Sequence, residues 1–118
     1  MMSSDTAAVR VFLAPGVTDM RKSFNGLYAL VRGALKGDPL SGHLFGFSNR
    51  RRDRIKILYW DGSGLWVCAK RLEKGTFRWP EPGEESVELT RAELNLLLAG
   101  IDLKACSKRR WLRDRAKG

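Results

Sequence analysis

The chain has 118 residues, 43% of them apolar and 30% charged, and its 22 Lys and Arg against 13 Asp and Glu give a formal net charge of +9. This length fits one domain. The apolar fraction is high enough to form a hydrophobic core, which excludes an intrinsically disordered chain. No apolar run reaches the roughly 20 residues that span a bilayer, and no secretory signal is visible, so we expect a cytoplasmic protein without a membrane partner.

The N-terminal third of the chain predicts one strand followed by one amphipathic helix. Residues 9–13 have the composition of a short strand, and the Ala-Pro-Gly sequence at 14–16 ends it. Thr18 or Asp19 is the predicted N-cap of the helix, which ends near residues 36–39. The apolar stripe of this helix consists of Met20, Phe24, Leu27, Tyr28, Val31, Ala34 and Leu35.

The middle of the chain is rich in predicted strands. Three runs dense in aromatic and β-branched residues occupy 43–47, 54–60 and 65–70. The Asp-Gly-Ser-Gly sequence at 61–64 predicts a hairpin turn, because glycine tolerates the positive φ that such turns require. Symmetric closure of this hairpin places Trp60 opposite Leu65 and Ile55 opposite Lys70. Both faces are apolar at their centre, so we expect a sheet covered on both sides or one that keeps a face for a partner.

The remaining predicted elements are a further strand and a second helix. Residues 76–79 predict a strand, whereas 87–89 form a short, ambiguous run. Thr90 and Glu93 match a capping box, in which each side chain bonds the other residue's backbone N–H at the start of a helix. The apolar face of this second helix consists of Leu94, Leu97, Leu98 and Ile101, with Gly100 as its predicted terminator.

These elements predict an α+β fold. We expect an antiparallel sheet of about four or five strands, one amphipathic helix packed on it, a short C-terminal helix and a basic tail. The predicted organisation is one domain at 1–103 and a tail at 104–118. The tail holds seven basic residues and one acid, which is +6 of the net charge of +9. A charge block of this kind is typical of a segment that contacts a polyanion or only aids solubility.

The sequence offers little chemistry for catalysis or metal binding. It has no glycine-rich phosphate loop, and His43 has no evident nucleophile partner. Cys68 and Cys106 show neither a disulfide framework nor a zinc spacing, so we expect two reduced thiols and no metal or cofactor. We expect no catalytic residue and no enzyme activity.

Carboxylates leave one enzymatic alternative open, a metal-dependent DNA-cleaving site. Its candidate residues are Asp19, Asp53, Asp61 and Glu73. Each of the three aspartates also has a structural interpretation. Asp61 lies in a turn where its side chain bonds the backbone, Asp53 lies among basic residues, and Asp19 is the predicted helix cap.

Basic residues clustered near aromatic ones give a stronger signal. Lys and Arg neutralise phosphates and release counterions, while aromatic rings can stack on bases. The hairpin would bring Arg54 close to Lys70 and Arg71, so the predicted nucleic-acid contacts share one edge of the sheet. The predicted set is Arg50, Arg51, Arg52, Arg54, Lys56, Lys70, Arg71 and Lys74, with Lys108, Arg109, Arg110 and Arg113 in the tail. We expect Trp60, Trp66 and Trp79 to be core residues rather than stacking platforms.

Several long strings between about residues 9 and 103 also carry a family resemblance. They are TDMRKSF at 18–24, DPLSGHLF at 38–45, WDGSG at 60–64 and KRLEKG at 70–75. With these strings the chain resembles the small second-reading-frame (TnpB) accessory protein of insertion-sequence family 66. The resemblance implies a bacterial mobile-element protein that assists transposition, with a transposase and a second accessory protein of the same element as its partners. It supplies no catalytic residues.

Charge pattern and resemblance together predict a non-catalytic accessory factor in DNA transposition. Such a factor would bind transposon-end DNA, the transposase on that DNA, or both, mainly through phosphate contacts. The alternative is a protein–protein interaction module of the transposition complex that touches DNA incidentally. The metal-dependent nuclease is the third hypothesis. The sequence predicts no oligomeric state.

Overall fold

A computed structural model describes residues 9–83 and 86–99, which form a five-stranded sheet with one helix on each face. The strands are β1 (Val11–Leu13), β2 (Leu44–Ser48), β3 (Arg54–Trp60), β4 (Leu65–Arg71) and β5 (Val87–Leu89). The helices are α1 (Phe24–Gly33) and α2 (Arg91–Leu98). The strand order across the sheet is β4-β3-β2-β1-β5. The predicted α+β class is therefore confirmed.

The sheet is mostly antiparallel, with one parallel pair. β3 is antiparallel to both β2 and β4, and β5 is antiparallel to β1. β1 and β2 are parallel, and the connection between them contains α1. This crossover follows from the chain order, because parallel neighbours cannot be joined by a tight turn.

The hairpin of β3 and β4 has the predicted register. Trp60 pairs with Leu65 and Ile55 with Lys70, so the seven residues of each strand face each other without a bulge. The turn glycine Gly62 has φ of 105°, which L side chains rarely adopt. Asp61 fixes this turn by accepting hydrogen bonds from the backbone N–H groups of Ser63 and Gly64, at 2.8 and 2.9 Å.

Each face of the sheet carries its own apolar core, because successive side chains of a strand point to opposite faces. On one face, Leu27 and Val31 of α1 are buried together with Phe45, Phe47 and Leu58. On the other face, the buried side chains are Val11, Leu13, Ile55, Ile57, Phe77, Trp79, Leu89, Leu94 and Leu97. Helix α2 packs on this second face. The expectation that both faces are covered is thus met over most of the sheet.

Helix α1 differs from its prediction at both ends. It begins at Phe24, with Ser23 as an N-cap that makes no side-chain capping bond, so the prediction of Thr18 or Asp19 as the cap is wrong. The Asp19 carboxylate instead accepts from the backbone N–H and the guanidinium of Arg21, which holds the chain in a turn before the helix. The helix ends at Gly33, because Lys36 just beyond it has φ of 57° and takes the chain out of the helical path.

In the second half of the chain, the predicted capping box of α2 is confirmed and the predicted strand at 76–79 is wrong. Thr90 and Glu93 form the capping box, with hydrogen bonds of 3.1 and 2.9 Å. Residues 76–79 are not a strand. Phe77 and Trp79 are buried as predicted for a core, but the N–H of Phe77 donates to the carbonyl of Arg52 in a loop. The ambiguous run 87–89 is strand β5. Gly100, Ile101, the domain boundary at 103 and the tail lie outside the described residues.

Candidate nucleic-acid interface

A groove of about 410 Å³ lies at the end of the hairpin far from its turn. Arg54 and Arg71 are direct cross-strand partners there, as the hairpin register predicts. Both side chains lie on the face that α1 covers, because Arg54 alternates in step with Leu58, which packs on that helix. The residues that line the groove are Met20, Arg54, Ile55, Lys56, Ala69, Lys70, Arg71 and Glu73. Four of these eight are basic and one is acidic.

Two lysines of the groove are held by backbone carbonyls. The Nζ of Lys56 donates to the carbonyl of Lys22, at 2.8 Å, just before α1 begins. The Nζ of Lys70 donates to the carbonyl of Leu98, at 2.8 Å, at the end of α2, so the side chain of Lys70 leaves the groove for the opposite face of the sheet. An ammonium group has three donors, so Lys56 retains hydrogen-bonding capacity for an anion in the groove. The two bonds also fix both helices against the hairpin.

The basic turn at 50–54 connects β2 to β3 and leads directly into the groove. Asn49 organises this turn: its Oδ1 accepts from the N–H groups of Asp53 and Arg54, each at 3.1 Å, and its Nδ2 donates to Asp53 at 2.7 Å. The Asn49 bond, together with the charges of Arg51 and Arg54, lowers the pKa of Asp53. Sequence reasoning missed Asn49, although an Asn four residues before an Asp in a turn is a signal for this geometry.

Arg52 differs from its neighbours in the turn. Its side chain is part-buried, and its Nη1 donates to the carbonyls of Gly16, at 2.6 Å, and Asn49, at 3.2 Å. Its backbone has φ of 61°. Arg52 therefore ties the turn to the loop after β1, a structural role that its place in a run of arginines did not predict.

The other predicted residues of this region are exposed. The side chain of Arg51 is 84% exposed, and its Nε lies 3.8 Å from Asp53. Arg50 is exposed, and within residues 9–83 and 86–99 its side chain makes no hydrogen bond or ion pair. Lys74 is exposed in the loop after β4. This loop returns to the basic turn, since the N–H of Leu72 donates to the carbonyl of Asp53 at 2.7 Å.

The tryptophans do not line the groove. Trp79 is buried and its Nε1 donates to the carbonyl of Ala14 at 2.7 Å, as expected for a core residue. Trp60 is half-buried. Trp66 is 51% exposed, so its prediction as a core residue is wrong; its ring stacks on Tyr59, with centroids 6.2 Å apart. It lies five residues from Arg71 along β4, roughly 17 Å at the strand rise, so the exposed ring and the groove occupy opposite ends of the hairpin.

The four candidate carboxylates do not converge. Asp61 lies at the hairpin turn, where the N–H groups of Ser63 and Gly64 and the indole of Trp66 lower its pKa to about 2. Asp19 is bonded to Arg21, which lowers the pKa of Asp19 to about 2. Asp53 is held by Asn49, and Glu73 accepts from Arg71 at 3.2 Å. Within the described residues, no three His, Cys, Asp or Glu side chains lie close enough together to hold a metal ion.

The lone histidine is packed. Its ring meets Phe12 edge-on, and the Nδ1 of His43 accepts from the N–H of Arg10 at 3.0 Å. Cys68 is a free, exposed thiol on β4, and Cys106 lies outside the described residues. In the part of the chain that the structure describes, no helix is long and apolar enough to cross a bilayer.

The amino-acid sequence also matches a known family of proteins. The family described as IS66 Orf2 like protein matches residues 9–108, which include the whole of the sheet and both helices. The chain belongs to this family. The IS66 Orf2-like proteins are accessory proteins of a transposition system, so the resemblance predicted from the sequence is confirmed.

Two curated relatives of this IS66 Orf2-like chain come from Sinorhizobium fredii (strain NBRC 101917 / NGR234). The uncharacterized protein y4jC is 39% identical over 101 residues, 86% of each chain. The uncharacterized protein y4hO is 42% identical over 94 residues, which cover 80% of this chain and 82% of the relative. No solved structure matches significantly.

Lys108, Arg109, Arg110 and Arg113, the predicted contacts of the tail, lie outside the described residues. Of the other predicted contacts, Arg54, Lys56, Lys70 and Arg71 line the groove. Arg50, Arg51 and Lys74 lie in the two loops beside it, and Arg52 is turned to the protein backbone.

Proposed function

We propose that this IS66 Orf2-like chain is a non-catalytic accessory factor that binds DNA during transposition, mainly through phosphate contacts. The DNA would be the transposon ends, held alone or together with the transposase and the second accessory protein. The observation that carries the proposal is the position of Arg54 directly opposite Arg71 at the groove. Like charges in this relation destabilise a pair of strands, so a bound anion would supply the missing partner.

The charge of the groove supports phosphate as that anion. Four basic residues and one acidic residue line it, and Glu73 engages only the Nε of Arg71, at 3.2 Å. The planar guanidinium has five N–H donors in a fork that matches two phosphate oxygens. Arg54 and Arg71 therefore retain donors for a backbone phosphate, and Lys56 adds positive charge on the same face of the sheet.

The loops on either side extend this surface. Arg50 and Arg51 are exposed before β3, and Lys74 is exposed after β4. A duplex carries one negative charge per about 1.7 Å of its axis, so a surface of several cations contacts several phosphates at once. The tail residues Lys108, Arg109, Arg110 and Arg113 would add further contacts of the same kind. Such binding is strong at low salt and only weakly selective for sequence.

The proposal is tested by measuring DNA affinity across a salt series with a labelled transposon-end duplex. The variant Arg54→Gln/Arg71→Gln removes two groove cations. The matched control Arg32→Gln/Arg91→Gln removes two exposed arginines on the helices, away from the groove. Because each phosphate contact contributes about 0.9 to the slope of log K against log salt, we expect the groove variant to lower that slope by about 2.

The control separates local contact from overall charge. We expect it to change the slope much less than the groove variant, although both lose two charges. Equal slopes for the wild type and the groove variant would show that these arginines do not contact DNA. Equal losses in the two variants would mean that only the total charge matters.

A second candidate function is a protein-interaction module that docks on the transposase. Large apolar side chains favour it: Val17, Phe24, Leu40 and Trp66 are 44–51% exposed. Under this alternative, the groove variant binds DNA as the wild type does and also captures the transposase equally well. Substitution of the exposed apolar residues would abolish capture instead.

A further inference from the structure

Within residues 9–83 and 86–99, strand β4 forms one edge of the sheet, and its own residues lack the usual protection of an edge strand. Natural sheets blunt their edges with short strands, proline, bulges or charges. The opposite edge, β5, is only three residues long, and its Glu88 is paired to Arg10 at 2.7 Å. By contrast, β4 has seven residues, no proline and no bulge, and its charges are confined to Lys70 and Arg71 at one end.

The hydrogen-bonding pattern shows which backbone groups of β4 face outward. The N–H of Asp61 donates to Gly64, and the N–H of Leu72 donates to Asp53, which marks both pairs as hydrogen-bonded. Hydrogen-bonded and non-bonded pairs alternate along an antiparallel ladder. The residues of β4 that bond β3 are therefore Trp66, Cys68 and Lys70. The residues that turn their N–H and C=O groups to the open edge are Leu65, Val67, Ala69 and Arg71.

We propose that β4 is a homodimer interface, at which two copies of this chain pair edge to edge as antiparallel strands. Cys68 is the midpoint of the seven-residue strand, so only a two-fold axis at Cys68 pairs the strand over its full length. Val67 then bonds Ala69 of the partner subunit, and Leu65 bonds Arg71 of the partner subunit. This inference concerns the open edge of β4 rather than the groove, and it does not depend on DNA binding.

The distribution of charge selects a second copy in the antiparallel sense. One end of β4 carries the aromatic Trp66 beside the acidic hairpin turn at Asp61, and the other end carries Lys70 and Arg71. Antiparallel pairing places each basic end against the aromatic and acidic end of the other copy. Parallel pairing would set the two basic ends side by side, where like charges repel.

The exposed Trp66 gains a further contact in this arrangement, beside those with Tyr59 and Asp61. It would lie opposite Lys70 of the partner subunit on the same face of the sheet. Lys70 is held by the carbonyl of Leu98, so its position is fixed beside the end of α2. A lysine over an indole ring is a favourable cation–π contact, and the ring would leave water. The half-exposure of Trp66 and the free edge thus have one common explanation.

The two-fold axis stands perpendicular to the sheet, because it relates antiparallel neighbours. Both copies therefore present their α1 face, and with it their basic grooves, on the same side of one continuous ten-stranded sheet. The two Arg71 positions would be six residues apart along the strands, roughly 20 Å at the strand rise.

The test uses the full-length chain with Cys106→Ser, which leaves Cys68 as its one thiol. Sedimentation velocity from about 1 to 100 µM measures the oligomeric state, and a short bis-maleimide tests whether two Cys68 thiols lie side by side. The variant Ala69→Pro removes an outward N–H and leaves the bonds to β3 intact, as prolines on edge strands do. The matched control Ala69→Val keeps that N–H and suits a strand. Circular dichroism confirms that each variant is folded.

We expect the chain to form a dimer that cross-links through Cys68. The variant Ala69→Pro should weaken this dimer at least about tenfold, whereas Ala69→Val should retain it. A monomer at every concentration would overturn the proposal. A dimer that Ala69→Pro leaves intact would place the interface elsewhere. A dimer that Ala69→Pro disrupts but that does not cross-link at Cys68 would contradict the antiparallel register.

Discussion

Arg54 and Arg71 face each other across β3 and β4, on the same side of the sheet as Lys56 and at the groove that these residues line. Their pairing is a local cost to the fold, because like charges directly opposite each other destabilise a sheet. Glu73 relieves part of it through a bond to Arg71. A feature that costs stability and gathers positive charge in one place is typical of a binding site rather than of a structural contact.

The variant Arg54→Gln should therefore stabilise the free protein while it weakens DNA binding. Removal of the cross-strand repulsion is expected to raise the free energy of unfolding by about 0.2–1 kcal/mol. Urea denaturation and DNA titration of the same preparation measure the two effects. A variant that loses both stability and DNA affinity would contradict the repulsion on which the proposal rests.

Substitutions of Arg52 and of Arg50 should have different effects on the free energy of unfolding, although the two residues are near neighbours in the same turn. Arg52→Gln removes the bonds to the carbonyls of Gly16 and Asn49, which should cost about 1–3 kcal/mol. Arg50→Gln changes an exposed side chain and should stay within about 0.5 kcal/mol of the wild type. Equal midpoints of chemical denaturation for the two variants would refute the structural role of Arg52.

The hairpin turn should lose stability in acid through Asp61. Its pKa falls from the ordinary 3.8 to about 2 in the folded protein, because three N–H groups donate to its carboxylate. A lowered pKa means that the stabilisation is complete above the unfolded value and is lost as the pH falls towards 2. Asp61→Asn keeps one acceptor oxygen but loses the acceptor for the indole of Trp66.

We accordingly expect Asp61→Asn to melt below the wild type at neutral pH, with a difference that shrinks between about pH 4 and pH 2. Thermal unfolding followed by circular dichroism at several pH values gives this difference. A difference that stays constant down to the lowest pH would show that the ionised carboxylate is not what stabilises the turn.

Gly46 of β2 should not accept a side chain. A Cβ built there would lie 2.9 Å from Cδ2 of the buried Leu13 and 3.5 Å from the ring of Trp79. Overpacking of this kind should make Gly46→Ala about 1–3 kcal/mol less stable. Gly64→Ala is the control, because nothing lies within 4 Å of its Cβ, and it should change stability by less than about 0.5 kcal/mol. Similar losses in the two variants would show that crowding at Gly46 is not the cause.

Local sequence signals predicted the parts of this fold that local physics controls. The glycines and Asp61 determined the turn, and the turn determined the register of the hairpin down to Arg54 and Arg71. The capping box of Thr90 and Glu93 likewise depends on residues three positions apart. For these elements the short-range pattern is sufficient.

Long-range contacts account for the predictions that failed. The aromatic run at 76–79 has the composition of a strand, but Phe77 bonds Arg52 and Trp79 bonds Ala14, so its partners are loops that no local pattern identifies. In the sequence, Arg52 is one of several neighbouring arginines. Its structural role comes from its hydrogen bond to the carbonyl of Gly16, which is distant in the chain. The parallel pairing of β1 and β2 likewise requires knowledge of where α1 returns the chain.

Cross-linking of the full-length chain to a photoreactive transposon-end duplex tests directly whether DNA lies at the groove. Mapping of the attached peptides is expected to place them at 49–56 and 69–75, which contain the basic turn and the groove, and in the basic tail. Competition with unlabelled duplex and loss of attachment at high salt would accompany a phosphate contact. Attachment confined to the opposite edge of the sheet, around β5 and the start of α2, would contradict DNA binding at the groove.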